Sequence, residues 1–252
     1  MKIESIRNQI FKETLQLQDK KFRDKNNLFI VEGKKQVKEI SKYWHIKQIF
    51  ISEKHKNTIK IKNFTNVIVL SENLFNKLVS TQSPQGIMAV VKKKQYNVKK
   101  IVKTRGLFII LENIQDPGNL GTIIRSANSF AAKAVFVSKG SADIYSEKTL
   151  RATMGSIFHL PVINDINIED TLNIMKKEKI TIFAASIKGE KYLNDIKFPS
   201  KKAFIIGNEA NGLKSETEDL ADELVKIYMP GRSESLNVAI AASIIMYEAT
   251  KR

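Results

Sequence analysis

At 252 residues with 42% hydrophobic content, the chain can bury one large core or two modest ones. It has no cysteine, which excludes disulfides, thiolate zinc sites, iron–sulfur clusters and thiol nucleophiles, and fits a reducing, cytoplasmic compartment. The formal net charge is +16, and residues 1–105 carry all of the excess: they hold 24 Lys and Arg against 8 Asp and Glu, whereas residues 106–252 hold 18 of each. A basic module joined to a neutral one suggests that the first holds a polyanion while the second does something more local. The plainer alternative, a Lys-rich composition coating every surface, has to explain why the second half escapes it. No run approaches the roughly 18 apolar residues of a membrane span, and Met1-Lys2-Ile3-Glu4-Ser5 lacks an apolar leader core, so a soluble, unprocessed protein is expected.

In chain order, Ile6, Ile10, Leu15, Leu17 and Phe22 among many charges give residues 2–25 the pattern of a surface helix or helical pair. Leu28-Phe29-Ile30-Val31 reads as a strand ended by Gly33. A helix near 34–43, strands at 46–51 and 67–70, a helix near 72–79 and a strand at 86–91 follow, making a small α/β unit over residues 1–95. Residues 96–105, continuing the Lys92-Lys93-Lys94 run with Lys99, Lys100, Lys103 and Arg105, read as a basic, solvated linker. Residues 106–252 then alternate strictly. Strands are expected at 107–111, 134–137, 181–185, 203–206 and 224–228, with a short extended piece near 161–163. Helices are expected near 119–131, 146–153, 169–178, 214–221 and 236–250. This is a mostly parallel sheet covered on both faces. The last helix carries Val238, Ala239, Ile240, Ala241, Ala242, Ile244, Ile245 and Met246 with almost no polar face, which points to burial against a partner subunit as well as against its own sheet.

Three loops of the second half follow short apolar runs and concentrate Gly, Asn and charged or hydroxylic residues: 116–121 running into Arg125, 207–212, and 230–237. In open α/β sheets the ligand crevice lies at the carboxyl ends of the strands, so three such loops on one sheet would make one site. Each has an ordinary explanation alone. Asp116-Pro117-Gly118 is turn chemistry with Asn119 as a helix cap, Glu209 is an exposed acid at a helix start, and Ser235 caps the last helix. Together they place the planar fork of Arg125 over a crevice where it can meet a phosphate, let backbone at Gly207 approach a ligand, and bring Ser235 and Asn237 to a helix N-terminus with unpaired N–H groups. Glu209 would fix Arg125 or accept a hydrogen bond from a ligand. No Gly-x-Gly-x-x-Gly, P-loop or metal-binding cluster is present, and His45, His55 and His159 are scattered, so chemistry falls to Arg, Glu, Ser and Asn.

Taken in order, 116–125, 206–213 and 227–239 resemble the three signature motifs of the SpoU (TrmH-like) branch of the SPOUT RNA methyltransferases, and Arg151-Ala152-Thr153-Met154-Gly155-Ser156 with Leu160-Pro161-Val162 fits between them. Residues 22–33 and 70–87 are similar to that family's N-terminal substrate-binding module. The resemblance implies an α/β fold: a parallel-sheet α/β knot (SPOUT) catalytic domain, its C-terminal stretch threading a trefoil knot, behind a smaller N-terminal α/β RNA-binding domain. It further implies S-adenosylmethionine as methyl donor, an RNA ribose 2′-hydroxyl as acceptor, and a homodimer. It places Gly207, Ile227, Met229 and Leu236 at the cofactor, and Asn119, Arg125, Glu209, Ser235 and Asn237 at the reacting centre, with no metal.

The family picture makes Arg125 a base, yet a guanidinium effectively never deprotonates in proteins. Arg125 is therefore expected to orient a phosphate and stabilise developing alkoxide charge. The added N-terminal module favours large-subunit ribosomal RNA over transfer RNA. A non-catalytic RNA-binding or ribosome-assembly protein stays open as the competing reading, and so does base methylation, although the Ser235-Leu236-Asn237 block favours ribose.

Overall fold

The computed structural model describes residues 1–40, 43–59, 66–81 and 83–251. They form two compact units, one made of residues 1–94 with 145–158, the other of residues 95–144 with 159 onward.

In the first unit the expected helical pair is preceded by a two-residue strand, β1 (Lys2–Ile3), which pairs in parallel with β4 (Val67–Leu70). Helix α1 (Gln9–Gln16) starts where the Asn8 side chain accepts from the N–H groups of Ile10 and Phe11, and it turns Phe11 into the core. Helix α2 (Lys20–Asn26) is capped by Asp19 and ends at Asn27 in the left-handed region, φ 56°. Its Arg23 is buried and donates to the carbonyls of Leu17 and Gln18 at 2.8 and 2.7 Å, tying the two helices together. Strands β2 (Leu28–Glu32), β3 (Ile46–Ser52) and β5 (Ile87–Lys92) complete a sheet in the order β1-β4-β3-β5-β2. In it β5 runs antiparallel to both neighbours, whereas β1, β4 and β3 are parallel. Helix α3 (Lys34–Glu39) is shorter than its pattern suggests, and residues 41 and 42 of the expected helix lie outside the described residues. Helix α4 (Glu72–Leu78) packs Leu74 and Phe75 with Phe11, Phe50, Leu70 and Met88 into one core.

His55 has a structural part here. Its Nδ1 lies 2.8 Å from the hydroxyl of buried Ser52, and its ring fills the space a side chain would need at Gly86, φ +75°.

The 145–158 segment, with helix α7 (Glu147–Thr153), belongs to this first unit although it falls within the second half of the sequence. Its aromatic ends hold it there. Tyr145 lies 4.5 Å from Phe29 between ring centroids, and Phe158 packs edge-on to Trp44 at 5.3 Å while its carbonyl accepts from the indole N–H.

The second unit is a seven-stranded, wholly parallel sheet in the order β10-β12-β9-β11-β6-β7-β8. The strands are β6 (Gly106–Leu111), β7 (Ala134–Ser138), β8 (Val162–Ile166), β9 (Thr181–Ala185), β10 (Lys191–Tyr192), β11 (Lys201–Ile206) and β12 (Glu223–Lys226). The extended piece near 161–163 is thus an edge strand. The two-residue β10 carried no apolar pattern to announce it. Central strands bury both faces. Phe108 and Ile110 of β6 join Leu172 and Met175 of α8 (Ile168–Lys177), while the alternate residues Leu107, Ile109 and Leu111 face the side taken by α6 (Pro117–Ser129) and α10 (Val238–Thr250).

The basic stretch expected as a solvated linker is only partly solvent-facing. Helix α5 (Val98–Ile101) lies within it, and Val102 is fully buried in the core of the second unit with Phe108 and Ile182. Val98, Ile101 and Val102, spaced among lysines, are too few to show as periodicity, yet they pack on one face of the sheet. Val102→Asp strands an unpaired carboxylate in that core and is expected to cost at least about 3 kcal/mol, whereas Lys103→Ala, on the exposed side, should stay within about 0.5 kcal/mol. Urea unfolding of both variants measures the difference.

Candidate functional site at the strand ends

The first loop leaves the end of β6 and enters α6. Asp116, not Asn119, is the cap: its carboxylate accepts from the Asn119 N–H at 2.8 Å, and Pro117 occupies the first turn, where its missing N–H costs nothing. The Asn119 side chain is thereby released to reach across the site. Its Nδ2 donates to Glu209 Oε1 at 3.2 Å, and its Oδ1 accepts from Asn237 Nδ2 at 3.1 Å. Three of the sequence-predicted residues, one from each loop, therefore form a continuous hydrogen-bonded chain.

Glu209 sits in the loop after β11. Besides Asn119, its carboxylate accepts from the backbone N–H groups of Gln115 and Asp116 at 3.3 and 3.4 Å and from Asn208 Nδ2 at 3.4 Å. Desolvation by itself pushes this carboxyl up, but the hydrogen bonds from its own backbone, Asn119, Gln115 and Asp116 together outweigh it and hold the group below its ordinary value. The expectation that Glu209 fixes Arg125 is replaced by this arrangement: the carboxylate is spent on Asn119 and the 113–116 loop.

The Glu209 loop is itself closed tightly. Asn208 and Gly212 exchange backbone hydrogen bonds at 2.9 and 3.0 Å, and Asn208 Oδ1 accepts from the N–H groups of Ala210 and Asn211. A side chain at Gly207 would come within 2.3–2.5 Å of the Gly212 and Leu213 backbone. The loop's own closure therefore requires a glycine here.

The third loop runs from the end of β12 to α10. Asn237 caps the helix, accepting from Ala239 and Ile240 N–H at 2.9 and 3.3 Å. Ser235, expected as the cap, stands two residues outside it, exposed and without a hydrogen bond among the described residues. The shift follows from where the helix begins, since the residue before Val238 is the one whose oxygen reaches the first free N–H groups.

Ile227, Met229 and Leu236 are half-buried. From Tyr228 to Leu236 the backbone makes no hydrogen bond to other described residues. Half-buried apolar side chains beside free backbone donors and acceptors suit a flat heterocycle such as adenine, which needs both.

Arg125 lies on the exposed face of α6, two turns beyond Asn119, and Arg232 lies in the third loop. Neither guanidinium has a hydrogen bond or ion pair among the described residues. Both are available to an anion.

Two supporting residues escaped the sequence. Glu112, directly after β6, is buried and accepts from Thr217 Oγ1 at 2.8 Å and the Lys214 N–H at 3.1 Å, which fixes the start of α9 (Ser215–Asp219). Asn113 adopts φ 56° and receives Asn208 Nδ2 on its carbonyl at 2.8 Å. A carboxylate and an Asn immediately after an apolar run were the available signals.

A wholly parallel sheet with polar loops knitted together at its strand ends defines an α/β protein with one crevice-edge site. Residues 106–247 match the SpoU rRNA Methylase family model, and residues 8–89 match the MRM3-like substrate binding domain. The chain belongs to the SpoU rRNA methylase family. It is 34% identical over 248 residues to the 23S rRNA (guanosine(2553)-2′-O)-methyltransferase RlmP of Bacillus subtilis (strain 168), covering 97% of each chain. Among solved structures it is similar to the AdoMet-bound rRNA methyltransferase from Sinorhizobium meliloti, with a TM-score of 0.88 and 28% identity over 99% of this chain and 97% of that one. It is also similar to the SpoU methyltransferase AviRb from Streptomyces viridochromogenes in complex with AdoMet, with a TM-score of 0.87 and 26% identity over 97% of each.

Because the Glu209 carboxyl titrates below its ordinary value, the order it imposes on the 113–116 loop is complete above the usual carboxylate range and is lost as the pH falls through the depressed pKa. The Gln115 and Asp116 amide resonances should shift together with a midpoint below the usual glutamate range. In Glu209→Gln that shared titration should disappear, and NMR pH titration reads both results.

Proposed function

We propose that the protein methylates a ribose 2′-hydroxyl of RNA, with S-adenosylmethionine as donor and 23S ribosomal RNA as substrate. The observation that carries this reading is the hydrogen-bonded chain Asn237–Asn119–Glu209, which unites the three loops beside an unpaired Arg125. The 23S rRNA 2′-O-methylation named for the B. subtilis relative, alike over nearly its whole length, supports it. When bound, S-adenosylmethionine supplies an electrophilic methyl group on a sulfonium. Ile227, Met229 and Leu236, with the unpaired backbone between them, are the residues that would hold it, and the closed loop at Gly207 forms the neighbouring wall.

Arg125 binds and orients an RNA phosphate through its planar fork and stabilises negative charge as it develops on the ribose oxygen. Asn119 and Asn237, each locked by its hydrogen bonds, position the ribose. The hydroxyl proton leaves through a neighbouring phosphate, through water, or through Ser235, which passes its own proton on to solvent and has no competing partner among the described residues. The basic unit over residues 1–95 holds the RNA by its phosphates, a role that the excess of 24 cationic over 8 acidic residues in the first 105 supports. The enzyme works in the cytoplasm as a homodimer, and α10 supports the dimer. One side of this helix is buried through Ala242, Ile245 and Met246, while the other leaves Ile240 and Tyr247 about half exposed, at 53% and 52%, with Phe130 beside Tyr247.

Tritiated S-adenosylmethionine should label unmodified ribosomal RNA, and nucleoside digestion should return the label as a 2′-O-methylated ribose. A protein that only binds RNA would show salt-sensitive affinity and no label. Asn119→Ala and Arg125→Ala are each expected to lose turnover by about 100-fold or more while calorimetry shows the donor still bound. Equal loss of both would overturn the assigned roles. Ile240→Asp should convert the dimer to a monomer by light scattering.

A further inference from the structure

One large side chain in the third loop takes no part in the arrangement above. Tyr228 is 61% exposed, although it lies between half-buried Ile227 and Met229. It is held in place rather than loose: its ring stands perpendicular to that of Tyr192, with centroids 5.4 Å apart. The Lys226 ammonium lies 4.8 Å from the centroid of the Tyr192 ring. Lysines elsewhere on this edge of the sheet are neutralised, Lys188 by Glu218 at 2.7 Å and Lys191 by Glu223 at 3.0 Å. Lys226 has no carboxylate partner among the described residues. The edge therefore presents an anchored aromatic face and an uncompensated cation, joined directly to the loop that carries Ile227 and Met229.

We infer that Tyr228 and Lys226 form a stacking platform for one unpaired nucleotide of the substrate RNA, its base on the Tyr228 ring and its phosphate beside Lys226. The inference rests on the proposed activity for the identity of the ligand as RNA. A base has the flat face that an exposed ring can stack on, and its phosphate supplies the charge that the lone ammonium lacks. Exposure alternates along the loop, with Ile227 and Met229 half-buried and Tyr228 open, so the ring is turned away from the residues assigned to the donor. It shares no hydrogen bond with Asn119 or Asn237. The stacked nucleotide is accordingly a neighbour of the one methylated, and Tyr228 is a positioning residue that sets which RNA is accepted and in what register.

The test is steady-state methyl transfer to transcribed, unmodified large-subunit ribosomal RNA by the full chain. Tyr228→Ala should raise KM for RNA about 5- to 100-fold, the span that loss of one base–aromatic stack produces. Its kcat should stay within about twofold of wild type and its calorimetric affinity for S-adenosylmethionine should not change. Tyr228→Trp should restore KM, and Lys226→Ala should flatten the salt dependence of RNA binding by roughly one counterion. An unchanged KM in Tyr228→Ala overturns the proposal. So does weakened donor binding with normal KM for RNA, which would put the ring in the donor pocket. A fall in oligomer mass with RNA affinity recovered at high protein concentration also overturns it, by making the ring a contact between copies. If the wild type labels no RNA, it is the enzymatic reading that fails. The platform is then decided by an unpaired oligoribonucleotide carrying 2-aminopurine: quenching by wild type but not by Tyr228→Ala upholds it, and equal quenching by both removes it.

Discussion

Three loops from different strand ends can share one site only if their registers are fixed relative to one another, and the carboxylate of Glu209 does this with hydrogen bonds rather than with packing. It gathers two backbone N–H groups of the first loop and two Asn side chains, and through Asn119 it reaches Asn237 at the head of the last helix. Each bond alone is modest. Their convergence on one ionised group is sufficient to overcome the desolvation that would otherwise favour its neutral form. Glu112, one strand end away, does the same for the start of α9 from a buried position. The site is thus a polar scaffold set on an apolar sheet, and the sheet tolerates it because the polar groups lie at the carboxyl ends of β6 and β11, where the strands stop pairing.

Much of this was legible in the residues. Apolar runs such as Phe108-Ile109-Ile110-Leu111 and Ala203-Phe204-Ile205-Ile206, short and without a polar face for solvent, read as buried parallel strands. The Gly and Asn residues after them marked the loops that the structure brings together. The residues named for the reacting centre divide by what the structure does with them. Asn119, Glu209 and Asn237 meet, whereas Arg125 and Ser235 stand near the network without joining it.

The misread features share a physical cause. Capping depends on where a helix starts to within one residue, and neither Asn119 against Asp116 nor Ser235 against Asn237 can be decided by composition, since all four side chains can accept from a free N–H. That Gly207 is also needed to close its own loop depends on Gly212, five residues away, which periodicity does not register. Val102 is hidden among lysines because a single buried residue has no period. The 145–158 segment joins the first unit through Tyr145 and Phe158, and aromatic contacts with Phe29 and Trp44, more than a hundred residues distant, leave no local trace. Each failure concerns a contact distant in sequence or a boundary sharper than propensity can draw.

Helix α10 links the site to the surface in a way that the bare hydrophobicity of its sequence did not specify. Its N-terminus is fixed by Asn237, which belongs to the hydrogen-bonded network. Its first turn already carries Ile240 to the surface, and two turns further on Tyr247 continues the same exposed face, while Ser243 between them bonds to Ser126 of α6 at 2.8 Å. The helix that bears the capping Asn is therefore the same helix whose apolar face stands open, and α6, which bears Arg125, is the helix packed beside it. Any surface that covers Ile240 and Tyr247 presses on the two helices that deliver Asn119, Arg125 and Asn237. The open apolar face and the hydrogen-bonded network therefore share the same two helices, joined to each other by the Ser126–Ser243 hydrogen bond.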